Sequence, residues 1–262
     1  MGDTEELATE YTRVNNTQYR AGLFLLERLD IGPGLRVLDV GCGPGNIAAH
    51  MAEVVGEKGS VVGVDPSKER IRIAQTIRKP NLSFCEGKAE DLSQFPTGHF
   101  DLIYVNSTLH WVQDQSAAFR EFARLLKSGG KLGISGGSGD TPSAQERIKD
   151  HVLSREPYRN YPEKGAPKFL KRREMERLLD DNGFQERSIV VNKITKSAKD
   201  ADAMIDWLDA SSSGQTYGSI PLELRPRARE EMKTEWNKLV VEDGIHMDID
   251  LLVTVAVKAD AR

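Results

Sequence analysis

The chain has little of what marks several large protein classes. It carries two cysteines in 262 residues, Cys42 and Cys85, both in stretches that we expect to be buried α/β core, so a disulfide framework is not indicated. No apolar run approaches about 18 residues, the length that argues for a membrane span. The five histidines show no metal-ligand spacing, and no cluster of cysteine, histidine and carboxylate suggests zinc, so no metal is predicted.

A strong excess of charge is also missing. The net charge is -4, and the basic stretch KFLKRREMER is balanced by nearby acids in an amphipathic pattern. A duplex nucleic acid is therefore disfavoured as a partner. The stretch MGDTEELATEYTR is acidic and polar, unlike a secretory signal, so we expect a cytoplasmic protein without a membrane partner. No pattern in the sequence indicates an oligomeric state.

What the sequence does contain is an alternation of strands and helices up to Gly137. The apolar runs RVLDVG, SVVGVD, LSFCEG, FDLIYVN and KLGISGG are too short for helices and predict buried strands. Between them, NIAAHMAEVVG, SKERIRIAQTIR and DQSAAFREFARLLKSGG have helical spacing, the last stopped by Gly129 and Gly130. This order predicts an α/β fold, doubly wound around a mostly parallel sheet.

The pattern outside this region sets the predicted domain organisation. Residues 1–30 form an N-terminal helical cap and residues 31–262 form the core, with insertions at about 138–170 and 196–244. Two late strands are predicted in ERSIVVNKIT and HMDIDLLVTVAVK, with helical stretches between them.

The most informative short stretch is VLDVGCGPGN, at the end of the first strand. Gly41, Gly43 and Gly45 alternate directly after a strand that carries Asp39. The dinucleotide fingerprint G-x-G-x-x-G is not met, because its third position is Asn46, and a shifted frame meets only the looser form. The phosphate-loop spacing fails too. Glycines at this turn let a ligand approach the backbone, and a nucleoside without phosphates, with an amino-acid tail near the helix dipole, fits best.

A second acid ends the next strand. A carboxylate at Asp65 can accept hydrogen bonds from both hydroxyls of a ribose, a bidentate contact for which a strand-end aspartate is suited. A solvated strand-end aspartate is the alternative interpretation. The position of Asp65 beside the glycine turn favours ribose binding over that alternative.

These motifs occur together with a wider resemblance. VLDVGCGPG, VVGVDPS, GKAEDL, FDLIYVNSTLHWVQD and FARLLKSGGKLGISG resemble, in order and spacing, the motifs of class I S-adenosylmethionine-dependent methyltransferases over roughly residues 30–137. The resemblance implies a seven-stranded sheet in which HMDIDLLVTVAVK is one late antiparallel strand. It also implies that S-adenosylmethionine lies across the carboxyl ends of the first strands and that the insertions form a helical lid.

By motif position the resemblance also implies the cofactor contacts. Asp39 and the glycine turn line the methionine end, Asp65 the ribose, Ala89 with Glu90 the adenine, and the residues after the fourth strand the methionine or sulfonium. One departure is Lys88, where family members often have an aspartate. The predicted cofactor-binding residues are Tyr11, Asp39, Gly41, Gly43, Asp65, Pro66, Ala89, Glu90, Asn106 and Ser107.

The acceptor side is indicated by STLHWVQDQ and by NNTQ near the N-terminus. Together they resemble the small-acid methyltransferases that act on juvenile hormone acid, trans-aconitate and malonyl-carrier protein. The resemblance implies that Gln18 and Trp111 orient an acceptor carboxylate, with His110 alongside and Tyr11 over the cofactor. We therefore predict a small-molecule methyltransferase, with carboxylate O-methylation as the favoured reaction.

Other functions stay open at this point. Nitrogen, sulfur or carbon acceptors on a secondary metabolite are possible, and His110 could serve as a base for them. An NAD-dependent dehydrogenase is disfavoured by Asn46, and for the short-chain type none of the six tyrosines has a lysine four places on. A non-catalytic docking module would tolerate loss of the cofactor acids, but Asp39 and Asp65 are present.

Overall fold

The computed structural model describes Thr4, Glu6, Ala8 and Thr9, and residues 16–161, 166–212 and 216–260; of Asn16 only the backbone is described. The helices are α1 (Asn16–Leu29), α2 (Asn46–Val55), α3 (Lys68–Ala74), α4 (Gln115–Leu125), α5 (Ala144–Leu153), α6 (Arg172–Asp181), α7 (Ala201–Ser211) and α8 (Arg225–Asn237). The strands are β1 (Arg36–Val40), β2 (Ser60–Asp65), β3 (Leu82–Glu86), β4 (Phe100–Asn106), β5 (Leu126–Gly137), β6 (Phe184–Ala198), β7 (Val240–Val241) and β8 (Gly244–Lys258).

The strands form one sheet in the order β3-β2-β1-β4-β5-β8-β6, and β7 pairs with β8. Strands β1 to β5 run parallel in this order, with Asp39 beside Tyr104 and Asn106 beside Ser135, whereas β8 is antiparallel to β5. The predicted α/β fold with a mostly parallel sheet is confirmed. The structure adds the two-residue β7 to the seven strands that were expected.

The chain divides into two compact units. The first comprises Asn16–Asp140, Lys168–Asn192 and Leu251–Arg262. Its central strands are buried on both faces: Leu132 and Ile134 of β5 pack with Phe119 and Phe122 of α4, while a side chain at Gly133 would collide with Leu29 of α1. Helices therefore cover both faces, which explains why these strands are almost continuously apolar.

One predicted helix end is wrong. The helix in DQSAAFREFARLLKSGG ends at Leu125, before the two glycines, and β5 begins directly at Leu126. The pairing of β4 with β5 is irregular near the start of β5, because its register shifts between Phe100 and Leu102 of β4. Leu125 and Leu126 are both fully buried, so tertiary packing outweighs the helical spacing of the stretch.

The second unit comprises Met1–Asn15, Thr141–Pro167 and Lys193–Asp250. Its core surrounds Trp236 and Tyr158, and the Tyr158 hydroxyl donates to Glu231 at 2.9 Å. Arg229 of α8 forms ion pairs with Asp202, Asp206 and Asp209 of α7. These stretches overlap the predicted insertions, and their function as a lid stays a prediction. None of the described helices is long and apolar enough to cross a membrane.

Candidate active site

The glycine turn between β1 and α2 has the backbone that glycine permits. Gly41, Gly43 and Gly45 have φ values of 77°, 54° and 88°, in the left-handed region that other residues rarely adopt. A side chain at Gly41 would also overlap Thr108 Oγ1 and lie 2.6 Å from the Thr108 Cβ. Glycine at position 41 therefore serves both the turn itself and the close approach of the chain that follows β4.

Asp65 holds this turn in place. Its Oδ2 accepts a hydrogen bond from the Gly43 N–H at 2.9 Å, and its Oδ1 accepts from the Ser67 N–H at 2.9 Å. Each carboxylate oxygen has a second lone pair, so the predicted ribose contact is compatible with these bonds and stays a prediction. The organising contact to Gly43 was not predicted, because it joins the turn after β1 to the end of β2, which are distant in sequence.

Asp39 is the second buried acid of the site. It is 2% exposed, and its Oδ2 has no hydrogen-bond partner among the described residues. Burial, and after it the neighbouring charge of Asp65, raises the pKa of Asp39 to about 8. A buried carboxyl with a free oxygen is well suited to an N–H or ammonium group, since such a partner would compensate its lost solvation.

Asn106 and Ser107 lie where β4 ends. The Asn106 Nδ2 donates to the backbone oxygen of Gln18 at 3.0 Å, whereas its Oδ1 is buried and has no partner within the described ranges. Ser107 has a φ of 52° and donates its N–H to the Ser135 oxygen at 2.7 Å. A non-glycine residue in this conformation is strained by about 1–3 kcal/mol, which is typical of functional sites.

The predicted adenine side is less defined. Ala89 is buried in the core, and Glu90 Oε1 accepts from the Gln113 N–H at 3.2 Å. Lys88 is exposed and forms an isolated bridge with Asp91, and Pro66 is exposed after β2. The roles of these residues toward adenine stay predictions.

The donors and acceptors of this edge fit S-adenosylmethionine. Asp39 pairs with Tyr104, so by strand alternation the side chains of Asp39 and Asn106 lie on the same face of the sheet. Both present buried oxygens without partners in the described part of the chain, as an amino-acid ammonium requires. The dinucleotide fingerprint fails at Asn46 of the same turn, which argues against a dinucleotide.

His110 and Trp111 form a short 3-10 turn, Leu109–Trp111, after β4. The His110 side chain is half-buried as a whole, while its Nδ1 is fully buried without a partner among the residues described. Burial lowers the pKa of His110 to about 4. The imidazole stacks on Phe169, with ring centroids 4.8 Å apart, and the Trp111 ring lies at 5.0 Å.

The structure locates the remaining predicted site residues and adds contacts that were not predicted. Gln18 lies on α1 with its backbone oxygen bonded to Asn106, next to the predicted cofactor edge. Tyr11 lies outside the described residues. Thr108 and Phe169 were not predicted; Phe169 is far from His110 in sequence, and no local pattern marks it.

Comparisons with known proteins indicate what this chain is similar to. A family model described as "Methyltransferase domain" matches residues 38–134. The chain is 34% identical to an arsenite methyltransferase of Aquipseudomonas alcaligenes over 56% of this chain and 44% of that protein. It is 36% identical to a ubiquinone/menaquinone biosynthesis C-methyltransferase of Shewanella sp. (strain ANA-3) over 52% of this chain and 53% of that protein.

The chain thus spans about half the length of these curated relatives. Among solved structures, the YcgJ protein of Bacillus subtilis superposes with a TM-score of 0.63 at 17% identity, covering 93% of this chain and 100% of that one. That likeness shows the fold. The family match and the two curated relatives support an S-adenosylmethionine-dependent methyltransferase domain over residues 38–134, with S-adenosylmethionine as its cofactor.

Proposed function

We propose that this protein methylates a small molecule and that the acceptor atom is a carboxylate oxygen. The observation that carries the proposal is the environment of His110, the titratable side chain of the turn after β4. Burial lowers the pKa of His110 to about 4, so the imidazole is neutral at pH 7 and is a weak base. An amine or phenol acceptor needs a stronger base at this position, whereas a carboxylate is already ionised.

The residues of this chain would then act by orientation. S-adenosylmethionine supplies an electrophilic methyl group on a sulfonium. The amide N–H of Gln18 and the indole N–H of Trp111 are neutral donors that can aim a carboxylate without neutralising it. Alignment of the reacting atoms can by itself contribute about 7–11 kcal/mol to lowering the barrier.

The relatives suggest two other acceptors, trivalent arsenic and a carbon atom. The protonation of the two cysteines disfavours the first, and the low basicity of His110 disfavours the second. Trivalent arsenic is soft and binds thiolates, but burial raises the pKa of both Cys42 and Cys85, and the charges of Asp39 and Asp65 raise that of Cys42 further. The free thiols of this chain are therefore protonated at pH 7. A carbon acceptor activated by loss of a phenolic proton would again require a base stronger than His110.

A product assay tests the proposal. The protein is incubated with methyl-labelled S-adenosylmethionine and panels of carboxylic acids, phenols, amines and thiols. We expect label in a product from which alkali releases methanol, as a methyl ester does. Trp111→Phe and Gln18→Ala should each lower kcat/KM for that acid by about tenfold, since each removes one orienting hydrogen bond. Cofactor affinity, measured by calorimetry, should stay within about twofold.

Gln75→Ala is the matched control for the amide. The Gln75 Nε2 donates to the Phe84 oxygen of β3 and has no assigned function in the site. If Trp111→Phe and Gln18→Ala both retain full activity, the orientation hypothesis is wrong. If the label is found in an alkali-stable N-, S- or C-methyl product, the acceptor class is wrong.

A further inference from the structure

A three-residue segment, residues 168–170, lies against the turn that carries His110 and Trp111. The Lys168 N–H donates to the His110 oxygen at 2.6 Å, and the Lys168 Nζ donates to the Gln113 oxygen at 2.6 Å. These bonds hold the middle of the turn and the chain just after it from one side. A single 3-10 turn has little stability of its own, so its position depends on such contacts.

Gln115 ties the segment and the turn together. Its Nε2 donates to the Leu109 oxygen at 3.0 Å and to the Lys168 oxygen at 2.9 Å. One amide thus bridges two backbone stretches that are distant in sequence. Loss of this amide would leave both carbonyl groups without that donor, at a cost typical of a lost hydrogen bond.

The end of β5 is shaped to let the segment approach. A Cβ at Gly137 would lie 2.8 Å from the Phe169 Cδ1, and a Cβ at Gly139 would overlap the Phe169 oxygen. The Gly139 N–H donates to the Leu170 oxygen at 2.9 Å. The absence of side chains at these two positions allows Phe169 to reach the His110 ring.

We propose that Phe169 is a positioning residue for methyl transfer: it stacks on His110, keeps water from the imidazole and fixes the turn that presents Trp111. The two rings are 4.8 Å apart with an interplanar angle of 27°. The consequence for acceptor binding rests on the proposed function. The consequence for His110 itself does not, because it follows from contacts within the protein.

The electrostatics at His110 make the proposal measurable. The cavity beside the ring is lined mostly by apolar residues and glycine, among them Ile134, Met175 and Leu252. Lys168 is the one charged residue of this lining, and its Nζ is already bonded to Gln113. The low pKa of His110 arises from burial, so water admitted at Phe169 should raise it.

The test compares Phe169→Ala, Phe169→Tyr and the wild-type protein. The imidazole pKa is followed by NMR titration, with the His110 signal assigned from its loss in His110→Gln. Phe169→Ala should raise this pKa from about 4 to at least about 5, towards the usual 6.5, and lower kcat/KM by about tenfold. Phe169→Tyr keeps the ring and should restore both, while cofactor affinity stays unchanged.

Phe95→Ala is the matched control, since Phe95 is also half-buried and also contacts one ring, that of Phe100. It should alter stability without moving the His110 pKa. Gln115→Ala is the second variant if Phe169→Ala does not fold, and it should change the same two quantities. An unmoved His110 pKa in folded Phe169→Ala or Gln115→Ala, or equal effects of Phe95→Ala, would overturn the proposal. A non-carboxylate product would overturn only the proposed acceptor.

Discussion

Asp39 carries an energetic penalty in the ligand-free protein. Its carboxyl is 2% exposed, and burial together with Asp65 raises its pKa from 3.8 to about 8. Between these values the folded protein binds a proton that the unfolded chain releases. Stability contributed by this group is therefore complete below pH 4 and is lost as the pH rises to about 8. A cationic ligand group at the free Oδ2 would offset that loss.

Asp39→Asn should consequently stabilise the ligand-free protein in a pH-dependent way. The variant cannot ionise, so its melting temperature should exceed that of the wild type by more at pH 8 than at pH 5. Melting curves at several pH values measure the difference. Cofactor affinity should fall in the same variant, because the neutral amide attracts an ammonium less than a carboxylate does.

Asp101 is a control for Asp39, because its pKa is shifted in the opposite direction. Burial raises its pKa, but the hydrogen bond from Lys127 and the Arg36 N–H outweigh burial, so the pKa lies below its usual value. Its stabilisation is present above the unfolded pKa and is lost as the pH falls. Asp101→Asn should therefore be most harmful near neutral pH. The interpretation of Asp39 is contradicted if Asp39→Asn and Asp101→Asn change stability in the same direction at pH 8.

At the scale of elements, the β1–α2 turn and the chain after β4 form one interlocked structure. Thr108 Oγ1 donates to the Asn106 oxygen at 2.9 Å and lies over Gly41. Asp65 at the end of β2 holds Gly43 from the other side. These contacts hold the ends of β1, β2 and β4 together. We therefore expect a substitution at one strand end to disturb the backbone of the other two.

Gly41→Ala tests this interlock. Gly34→Ala is the matched control, because Gly34 has a similar φ of 84° but open space around a new Cβ, whereas position 41 has a φ of 77° and a collision with Thr108. Gly34→Ala should cost about 1–2 kcal/mol from the backbone alone, and Gly41→Ala distinctly more. Urea unfolding measures both.

A double variant separates the two contributions. Adding Thr108→Gly to Gly41→Ala removes the colliding atoms. In a double-mutant cycle, the free energy of unfolding should regain the part of the loss that exceeds the loss in Gly34→Ala. Equal destabilisation by the two alanine substitutions would mean that Thr108 moves aside freely. The interlocked arrangement would then be wrong.

At the scale of the whole molecule, ligand binding should be visible as stability. Binding to the folded state alone adds about 2.7 kcal/mol when the ligand is present at about 100 times its Kd. For a chain of this size we expect S-adenosylmethionine and its demethylated product to raise Tm by several degrees. NAD should have no such effect, because the dinucleotide fingerprint fails at Asn46 of the glycine turn. A rise with NAD alone would contradict the assignment of the cofactor edge.

Prediction from sequence succeeded where the determining forces are local. The apolar runs of β1, β2 and β4 and the alternating glycines after β1 are local sequence patterns, and each predicted its element or turn. It failed at the end of α4, where helical spacing continues to Gly130 but Leu126 enters the sheet. A pattern reports which residues are apolar, and it does not report which neighbour buries them.

The amino-acid sequence by itself therefore determined the α/β fold and the glycine turn after β1, and cofactor binding at that turn stays a prediction. Only the tertiary structure decided that Asp65 bonds the Gly43 N–H, that Thr108 fills the space over Gly41 and that Phe169 stacks on His110. The physical reason is that each of these contacts joins stretches far apart along the chain. Their distance and burial follow from how strands and loops pack, and burial in turn sets the pKa values of Asp39 and His110.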